Sequence, residues 1–357
     1  MIKLNRSKQQ GFSLVELMVS VLIGAIITYS VLQIYLAQTQ LYKTSNSQDI
    51  IQSMQNAIMN LITPTVRSAG FVGCGSMSTA VSNLNGGGPS PLGSINTLPT
   101  LITGYNGSGA SYTITGANVA NGSSAGDWTP SLDATLVGNS QNGSDVFVVL
   151  GSAPDSFPIG ISTIDAGTSF FVIQGLSGMA LSAGQFGSVS DCVKTVIFQV
   201  TGVGGGTTIS HNSGGGPGAN STSVFPVDFQ VGSQFVRIQQ TAFFVGQGQG
   251  NQSSLMRAIL VGNAWTIQPL IPGVEFMKVQ YGIGTTGSIS TYVSANAVTN
   301  WSQVYAIRLG FLIAGQPGSG TLGTNQFNVL DTQVTVPNDT RLRHVFEITI
   351  TLRNAIS

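Results

Sequence analysis

The chain has 357 residues, with 13 Lys or Arg and 13 Asp or Glu, so its formal net charge at pH 7 is zero. Charged residues make up 7% of the sequence, whereas an average soluble domain has about 25%. No basic cluster stands out, which argues against a nucleic-acid-binding protein. The 46 glycines, with abundant Ser, Thr and Asn, favour a secreted, β-rich protein with long loops and an uncharged polar surface.

The first predicted elements are a basic leader, residues 1–11, and an apolar segment of membrane length, residues 12–36. Three cations precede Gly11: Lys3, Arg6 and Lys8. The apolar segment would reach about 38 Å as a helix, enough to cross a hydrocarbon core of about 30 Å. Since the leader cations precede this segment, the positive-inside rule predicts a cytoplasmic N-terminus and an extracytoplasmic domain.

The helix is expected to continue beyond the membrane as an amphipathic half. A helical spacing of 3, 4 and 3 places four apolar residues on one face: Ile51, Met54, Ile58 and Leu61. The opposite face carries Gln48, Gln52, Ser53 and Asn56. Pro64 is expected to end or kink the helix, with Thr63 pushed out of the α region. The prediction is one helix of about 50 residues, spanning 12–66, with its second half packed on a globular domain.

Cys74 and Cys192 are the two cysteines of the chain. An even count outside the cytoplasm favours a disulfide, which would tie the segment after the helix to a strand. Two free buried thiols are the alternative. Metal ligation is a weaker one, because no His or Cys lies at ligand spacing.

The remainder, residues 67–357, is predicted to be one β-rich extracytoplasmic domain. Eight segments have strand character: Val146–Leu150, Ser169–Ile173, Val193–Val200, Phe235–Val245, Leu255–Val261, Val274–Ile283, Val304–Ile313 and His344–Arg353. No long helical pattern separates them, so the fold class is α+β with a mainly antiparallel sheet. Residues 75–145 are expected to form an elaborated surface region, and residues 203–220 a flexible loop.

The segment Gly11-Phe12-Ser13-Leu14-Val15-Glu16 resembles the processing site of type IV prepilins. The resemblance implies that a prepilin peptidase cuts after Gly11 and that the new terminal Phe12 is N-methylated. It also implies that Glu16 pairs with the terminal amine of a neighbouring subunit during docking, which a low dielectric would strengthen. The alternative is a carboxylate tolerated near the headgroups, since a charge at mid-bilayer costs about 2.5–3.5 kcal/mol.

Further segments resemble the PilW-type minor pilins. They are residues 54–74, 191–199, 274–282, 301–309 and 341–354. The resemblance implies a type IV pilin-like fold and a non-catalytic minor pilin without a cofactor. Its expected partners are other minor pilins, the major pilin and a large tip adhesin. Its expected location is the inner membrane and then the pilus, near the tip. The alternatives are a type II secretion pseudopilin of the J type, whose domain is usually much smaller, and a membrane-tethered adhesin.

No enzyme or metal centre is predicted. His211 and His344 have no nucleophile or carboxylate arranged around them, and Asp145 and Asp191 precede strands, where turn residues are usual. Residues 142–145 and 338–339 are candidate calcium sites, although ordinary Asx turns account for them as well. Four arginines of late strands are expected to pair with Glu275 or Glu347: Arg308, Arg341, Arg343 and Arg353.

Overall fold

The structure is a computed structural model that describes residues 11, 13–86, 92–107, 109–115, 119–164, 167–173, 175–176, 178–285, 288–320, 323 and 325–355. The rest of the leader and Phe12 lie outside the described residues. From Leu14 onward, a single helix, α1, runs Leu14–Arg67. At 1.5 Å per residue, its 54 residues extend over about 80 Å. The predicted long helix is therefore present.

Pro64 was expected to end or kink α1, and the first of these expectations is wrong, because the helix continues to Arg67. Proline removes one backbone donor and leaves the carbonyl of residue i−4 without its helical partner. Here that carbonyl belongs to Asn60, and both Asn60 and Pro64 are exposed. Water can therefore hydrate the released carbonyl, which makes a proline tolerable in the last turn.

The described residues after α1 contain twenty strands, one short α-helix, α2, and six single turns of 3-10 helix. The strands are β1 Ala80–Ser82, β2 Ile102–Gly107, β3 Ser111–Thr113, β4 Trp128–Thr129, β5 Val146–Ser152, β6 Ile159–Ile164, β7 Ser169–Val172, β8 Phe186–Ser190, β9 Thr195–Gln199, β10 Gly202–Gly204, β11 Thr208–Ser210, β12 Gln234–Gln247, β13 Ser253–Val261, β14 Ala264–Pro272, β15 Val274–Thr285, β16 Ser288–Val293, β17 Val304–Ala314, β18 Gln326–Val329, β19 Thr332–Thr335 and β20 Arg343–Thr351; α2 is Ala134–Val137. All eight predicted strands are among them. The strand predicted from Val193 begins two residues later, at Thr195, because Asp191 accepts the backbone N–H groups of Val193 and Lys194 in a turn.

The main sheet is organised around the long strand β12. One edge of β12 pairs with β8 and then β13, and the other edge pairs with β6 and then β5. A second sheet has the order β16-β15-β17-β20, and a third has the order β18-β19-β3. Apart from the parallel pairs β1–β9 and β3–β19, the described strand pairs are antiparallel. This is the predicted α+β fold, with a long apolar helix followed by a mainly antiparallel β domain.

The second half of α1 packs on β5, β14, β17 and β20. Five of its residues are buried at helical spacing: Ser47, Ile51, Ile58, Ile62 and Val66. Met54 packs against the same core. The predicted stripe is wrong at Leu61, which is 39% exposed while Ile62 is 1% exposed. Because the last three buried residues, Ile58, Ile62 and Val66, are four positions apart, the contact line passes through Ile62 and not through Leu61 near the end of the helix.

Two predicted surface segments contribute to the folded core. Within residues 75–145, β2 pairs with β5 in the main sheet, and Trp128 is buried with its Nε1 donating to the Ser144 carbonyl. Within the predicted loop 203–220, β10 and β11 form a hairpin around Gly205 and Gly206, whose φ values are +56° and +70°. Glycine adopts these angles without the strain that a side chain would cause. Composition alone therefore understated how much of these segments is ordered.

Candidate assembly site

The N-terminus of α1 is closed by a capping box between Ser13 and Glu16. The Ser13 hydroxyl accepts the backbone N–H of Glu16 at 3.3 Å, and Glu16 Oε2 accepts the backbone N–H of Ser13 at 3.0 Å. Each side chain satisfies a donor that the first helical turn leaves unpaired. The spacing Ser-x-x-Glu is a sequence signature of this cap, so this role of Ser13 could have been predicted from the sequence alone. Among the described residues, no other partner of the Glu16 carboxylate is present.

The first half of α1 presents a bare apolar surface. Residues 13–38 are exposed along the whole length of the helix. The hydroxyl groups of Ser20, Thr28 and Ser30 donate to carbonyls three or four residues earlier, at 2.8–2.9 Å. These polar groups are thus satisfied within the helix, as a hydrocarbon environment requires. By length and composition, α1 is the one helix of the described chain that could cross a membrane.

The helix enters the domain at Ser47, where a loop after β17 contacts it closely. A Cβ atom on Gly315 would lie 3.0 Å from the Ser47 Cβ, so a side chain at 315 would need the helix or the loop to give by a few tenths of an ångström. Thr44 Oγ1 donates to the Ser319 carbonyl at 2.8 Å, and Gln316 N donates to Ser47 Oγ at 3.3 Å. These contacts fix the point at which the bare half of α1 leaves the domain.

The helix leaves the core at Ser68, beside β5. A Cβ atom on Gly151 would lie 2.6 Å from the Ser68 carbonyl oxygen, so glycine permits this close approach. Gly70 N donates to the Leu150 carbonyl at 2.8 Å, and Asn354 Nδ2 donates to the Ala69 carbonyl at 2.7 Å. The chain leaving the helix is therefore held by the main sheet and by the C-terminal turn.

Cys74 and Cys192 form a disulfide with a Cα–Cα distance of 4.6 Å. The bond joins the segment just after α1 to the turn between β8 and β9. Cys192 lies in the left-handed region with φ of +69°, and both cysteines are exposed. Of the alternatives that the sequence left open, the structure contains the disulfide.

Several charged residues singled out in the sequence form internal ion pairs. Asp145 is 2% exposed and lies 2.8 Å from Lys278 Nζ, so it is a core residue and not the expected turn residue. Arg343 donates to Glu275 at 2.7 Å and to Asp339 at 2.7 Å. The pairing of Arg343 with Glu275 agrees with the prediction. Asp145 and Asp339 direct their oxygens to these cations, and the described residues contain no cluster of metal ligands.

The remaining predicted residues are dispersed over the domain. Arg308 lies over the Tyr292 ring at 4.1 Å, and Arg341 lies 3.3 Å from Asp339. His344 Nδ1 lies 3.0 Å from Gln55 Nε2 of α1. His211 is buried and stacked on Phe225, with ring centroids 4.0 Å apart. The structure brings Ser13 and Glu16 together at one end of α1, and Cys74 and Cys192 together near the other.

Comparison with known proteins gives two family matches. Residues 242–354 match the type IV pilus-assembly protein W family, and residues 6–28 match the prokaryotic N-terminal methylation motif. No curated protein matches the sequence. A type IV-like pilin of Thermus thermophilus, a solved structure, is 21% identical over 34% of this chain and 70% of that chain, with a TM-score of 0.24. The family matches cover the N-terminal motif and most of the C-terminal third of the chain.

Proposed function

We propose that this chain, whose family matches are those of a PilW-family type IV minor pilin, is a structural subunit of the complex that initiates a type IV pilus. It is inserted in the inner membrane with its N-terminus in the cytoplasm and its domain outside. A prepilin peptidase removes residues 1–11. The helix then packs with other minor pilins, and this bundle receives the major pilin and a tip adhesin.

The observation that carries the proposal is the continuity of α1. One uninterrupted helix joins a bare apolar half to a half that is fixed in the core of the domain. Exposing such a surface to water is costly, at roughly 25 cal/mol per Å² of apolar area. The bare half therefore needs a bilayer or a bundle of similar helices, and it can pass from one to the other without refolding the domain.

The geometry at Glu16 supports a docking role. Its Oε2 atom is used by the cap, and its Oε1 atom has no hydrogen-bond partner among the described residues. Removal of the leader creates a terminal amine on Phe12. A carboxylate with one free oxygen at the exposed end of the helix can accept a hydrogen bond from the terminal ammonium group of a neighbouring subunit. The low dielectric of the membrane strengthens this ion pair.

The size of the domain supports a position near the tip. The domain occupies residues 68–357, with three sheets on one helix. Copies of so bulky a domain would have to stack closely if this chain were the main subunit. A low-copy subunit at the end of the filament avoids this crowding.

Mass spectrometry of sheared surface filaments tests together whether the leader is removed after Gly11 and whether the protein is part of the filament. The expected N-terminal peptide begins at N-methylated Phe12. An intact leader, or a protein that remains in the membrane and is absent from filaments, would favour a tethered binding module. Recovery from a secretion pseudopilus instead of pili would favour the pseudopilin.

Two substitutions separate docking from capping at Glu16. Glu16→Gln keeps an amide oxygen that can accept the Ser13 N–H but removes the charge, and we expect it to lower incorporation into filaments about tenfold or more. Ser13→Ala removes half of the cap, keeps the carboxylate, and is expected to leave incorporation near the wild-type level. Wild-type incorporation of Glu16→Gln would refute the docking role.

A further inference from the structure

A cavity of about 320 Å³ lies where α1 ends against the main sheet. Its helix side is formed by Pro64, Thr65 and Ser68, and its sheet side includes Gln239, Thr241 and Arg257. The pairing of β12 with β5 and β13 places these polar side chains on the face of the sheet that α1 covers. The cavity therefore lies at the end of the helix core, farthest from the membrane half.

Arg257 lines this cavity with a guanidinium group that the described residues satisfy only in part. Its Nε atom is buried and has no hydrogen-bond partner among the described residues. Its Nη2 donates to Gln268 Oε1 at 2.9 Å, and no carboxylate of the described chain lies within 4.0 Å. A buried charged donor without a partner is unfavourable, because it has lost its hydration without gaining a hydrogen bond.

The cations whose side chains are buried most deeply in the domain all have a carboxylate partner, unlike Arg257. Arg237, Lys278 and Arg343 each have a carboxylate partner. Asp155, next to two cavity residues in the chain, is the partner of Arg237. Arg257 is thus a partly buried cation beside a cavity in which the described residues provide no counter-ion.

The end of α1 does not satisfy Arg257. A helix C-terminus carries partial negative charge, which favours a nearby cation. However, the backbone N–H groups of Ser68 and Ala69 donate to the Pro64 and Val66 carbonyls, and Ser68 Oγ donates to the Thr65 carbonyl at 2.9 Å. These three carbonyls already accept hydrogen bonds from the helix end itself. The helix dipole is then the remaining favourable interaction between the end of α1 and Arg257.

We propose that this cavity receives a carboxylate side chain of the protein that sits on the domain at the end remote from the membrane. The planar guanidinium group of Arg257 carries parallel N–H donors, the arrangement that binds a carboxylate in bidentate fashion. Thr241 Oγ1 accepts from Gln239 Nε2 at 2.9 Å, so its own hydrogen is available to the ligand. The volume fits one acidic side chain and part of its backbone. The inference rests on the proposed function, because the partner is the next component of the assembly.

The test uses the full-length protein in cells that make pili. A photo-crosslinking residue, p-benzoylphenylalanine, replaces Pro154, which is exposed at the rim of the cavity. We expect a crosslink to another pilus protein at a peptide that contains Asp or Glu. Arg257→Gln should lower its yield about tenfold or more, since truncating one member of a buried charge pair has a large effect. Arg308→Gln, which removes an arginine outside the cavity, is the matched control and should leave the yield unchanged.

A double-substitution cycle distinguishes a direct contact from a general effect. Replacing the partner's crosslinked Asp or Glu by its amide should give the same loss as Arg257→Gln, with little further loss when the two are combined. Additive losses, or a yield that Arg257→Gln leaves unchanged, would overturn the proposal. If Arg257 only stabilises the helix end, Arg257→Gln lowers the melting temperature while the folded protein still crosslinks normally.

Two further results distinguish a failure of the cavity proposal from a failure of the proposed function. A protein that lacks methylated Phe12 and is absent from filaments would contradict the proposed function itself. A protein that is present in filaments but has no charge-dependent crosslink would contradict only the cavity proposal. Stabilisation of the purified protein by millimolar acetate, without such a crosslink, would make the cavity a small-anion site and would also overturn the proposal.

Discussion

At the scale of single residues, the domain uses much of its small number of charges internally. Lys278 donates to Asp145 and to the Gly107 carbonyl, both at 2.8 Å, and Asp145 also accepts the Val279 N–H at 2.9 Å. Arg343 is shared between two carboxylates. Breaking a buried pair by removing one partner leaves a charge without compensation and is strongly destabilising. The low charge content therefore reflects a neutral surface together with a few interior pairs that fix neighbouring strands.

His211 gives a prediction about pH. Burial in a cluster with Phe170, Phe198 and Phe225 lowers its pKa from 6.5 to about 4. Between these values the unfolded chain binds more protons than the folded one, so acid destabilises the fold there. The free energy of unfolding should be insensitive to this group above pH 7 and should fall by about 3 kcal/mol at most as the pH drops from 6.5 to 4.

The measurement is urea unfolding of the full-length protein in detergent at several pH values. His211→Phe should remove this part of the pH dependence while retaining the aromatic contacts. An unchanged slope between pH 6.5 and 4 in His211→Phe would show that His211 is not the group responsible.

Pairs with one possible partner could be predicted from the sequence, and pairs with many possible partners could not. The docking role of Glu16, indicated by a lone carboxylate in an apolar segment, stays a prediction. The sequence predicted the disulfide because the chain has two cysteines. It did not indicate that Asp145 is buried. The partner of Asp145 is Lys278, 133 positions away, and only the pairing of the sheets brings them together.

At the scale of elements, α1 is positioned by a narrow line of contacts. Ile58 is 0% exposed in the core, whereas Leu61, one turn later, is 39% exposed. Helical periodicity identified the face of the helix correctly but not its drift, because spacings of three and of four residues both approximate one turn of 3.6 residues. The register of the helix on the sheet is therefore a tertiary property.

A matched pair of substitutions tests this register. Ile58→Ala should lower the free energy of unfolding by about 2–5 kcal/mol, because it removes a buried side chain and leaves a cavity. Leu61→Ala should cost less than about 1 kcal/mol, because its side chain is partly in water. Chemical unfolding of both variants is the measurement. Equal losses would mean that Leu61 also lies in the core.

Two strands that the sequence did not predict, β8 and β14, lack a strand pattern of their own. β14 contains Pro269 and Pro272, which argue against a strand in a local analysis, although a proline is acceptable on a sheet edge. β14 pairs only with β13 in the described sheet. β8 is short and contains Gly187, yet it is fully buried between β9 and β12. Both strands are defined by their neighbours and not by their own pattern.

At the scale of the whole molecule, the disulfide closes a span of 118 positions between the helix exit and the β8–β9 turn. Closing such a span removes freedom from the unfolded chain and stabilises the fold by about 4–5 kcal/mol in the chain-entropy model. Because the chain has two cysteines in total, and both are exposed, a reductant acts on this bond alone.

Reduction should therefore lower the free energy of unfolding by this amount without changing the fold. The measurement compares urea unfolding of the oxidised and reduced protein, with a Cys74→Ser, Cys192→Ser variant as the control for residual oxidation. The variant should match the reduced protein. Identical curves for all three samples would contradict a stabilising role.

The same bond also determines how the domain responds to force. A pull transmitted along α1 against the C-terminal strands reaches Cys74 seven residues beyond the end of the helix. From there the tension in the backbone crosses to Cys192 through a covalent bond, so the backbone between the two cysteines is not pulled apart at its ends. If the protein is part of a filament, as proposed, a load along the filament would stretch the short connection at Ser68 and the sheet beyond β9 before it separated the two cysteines.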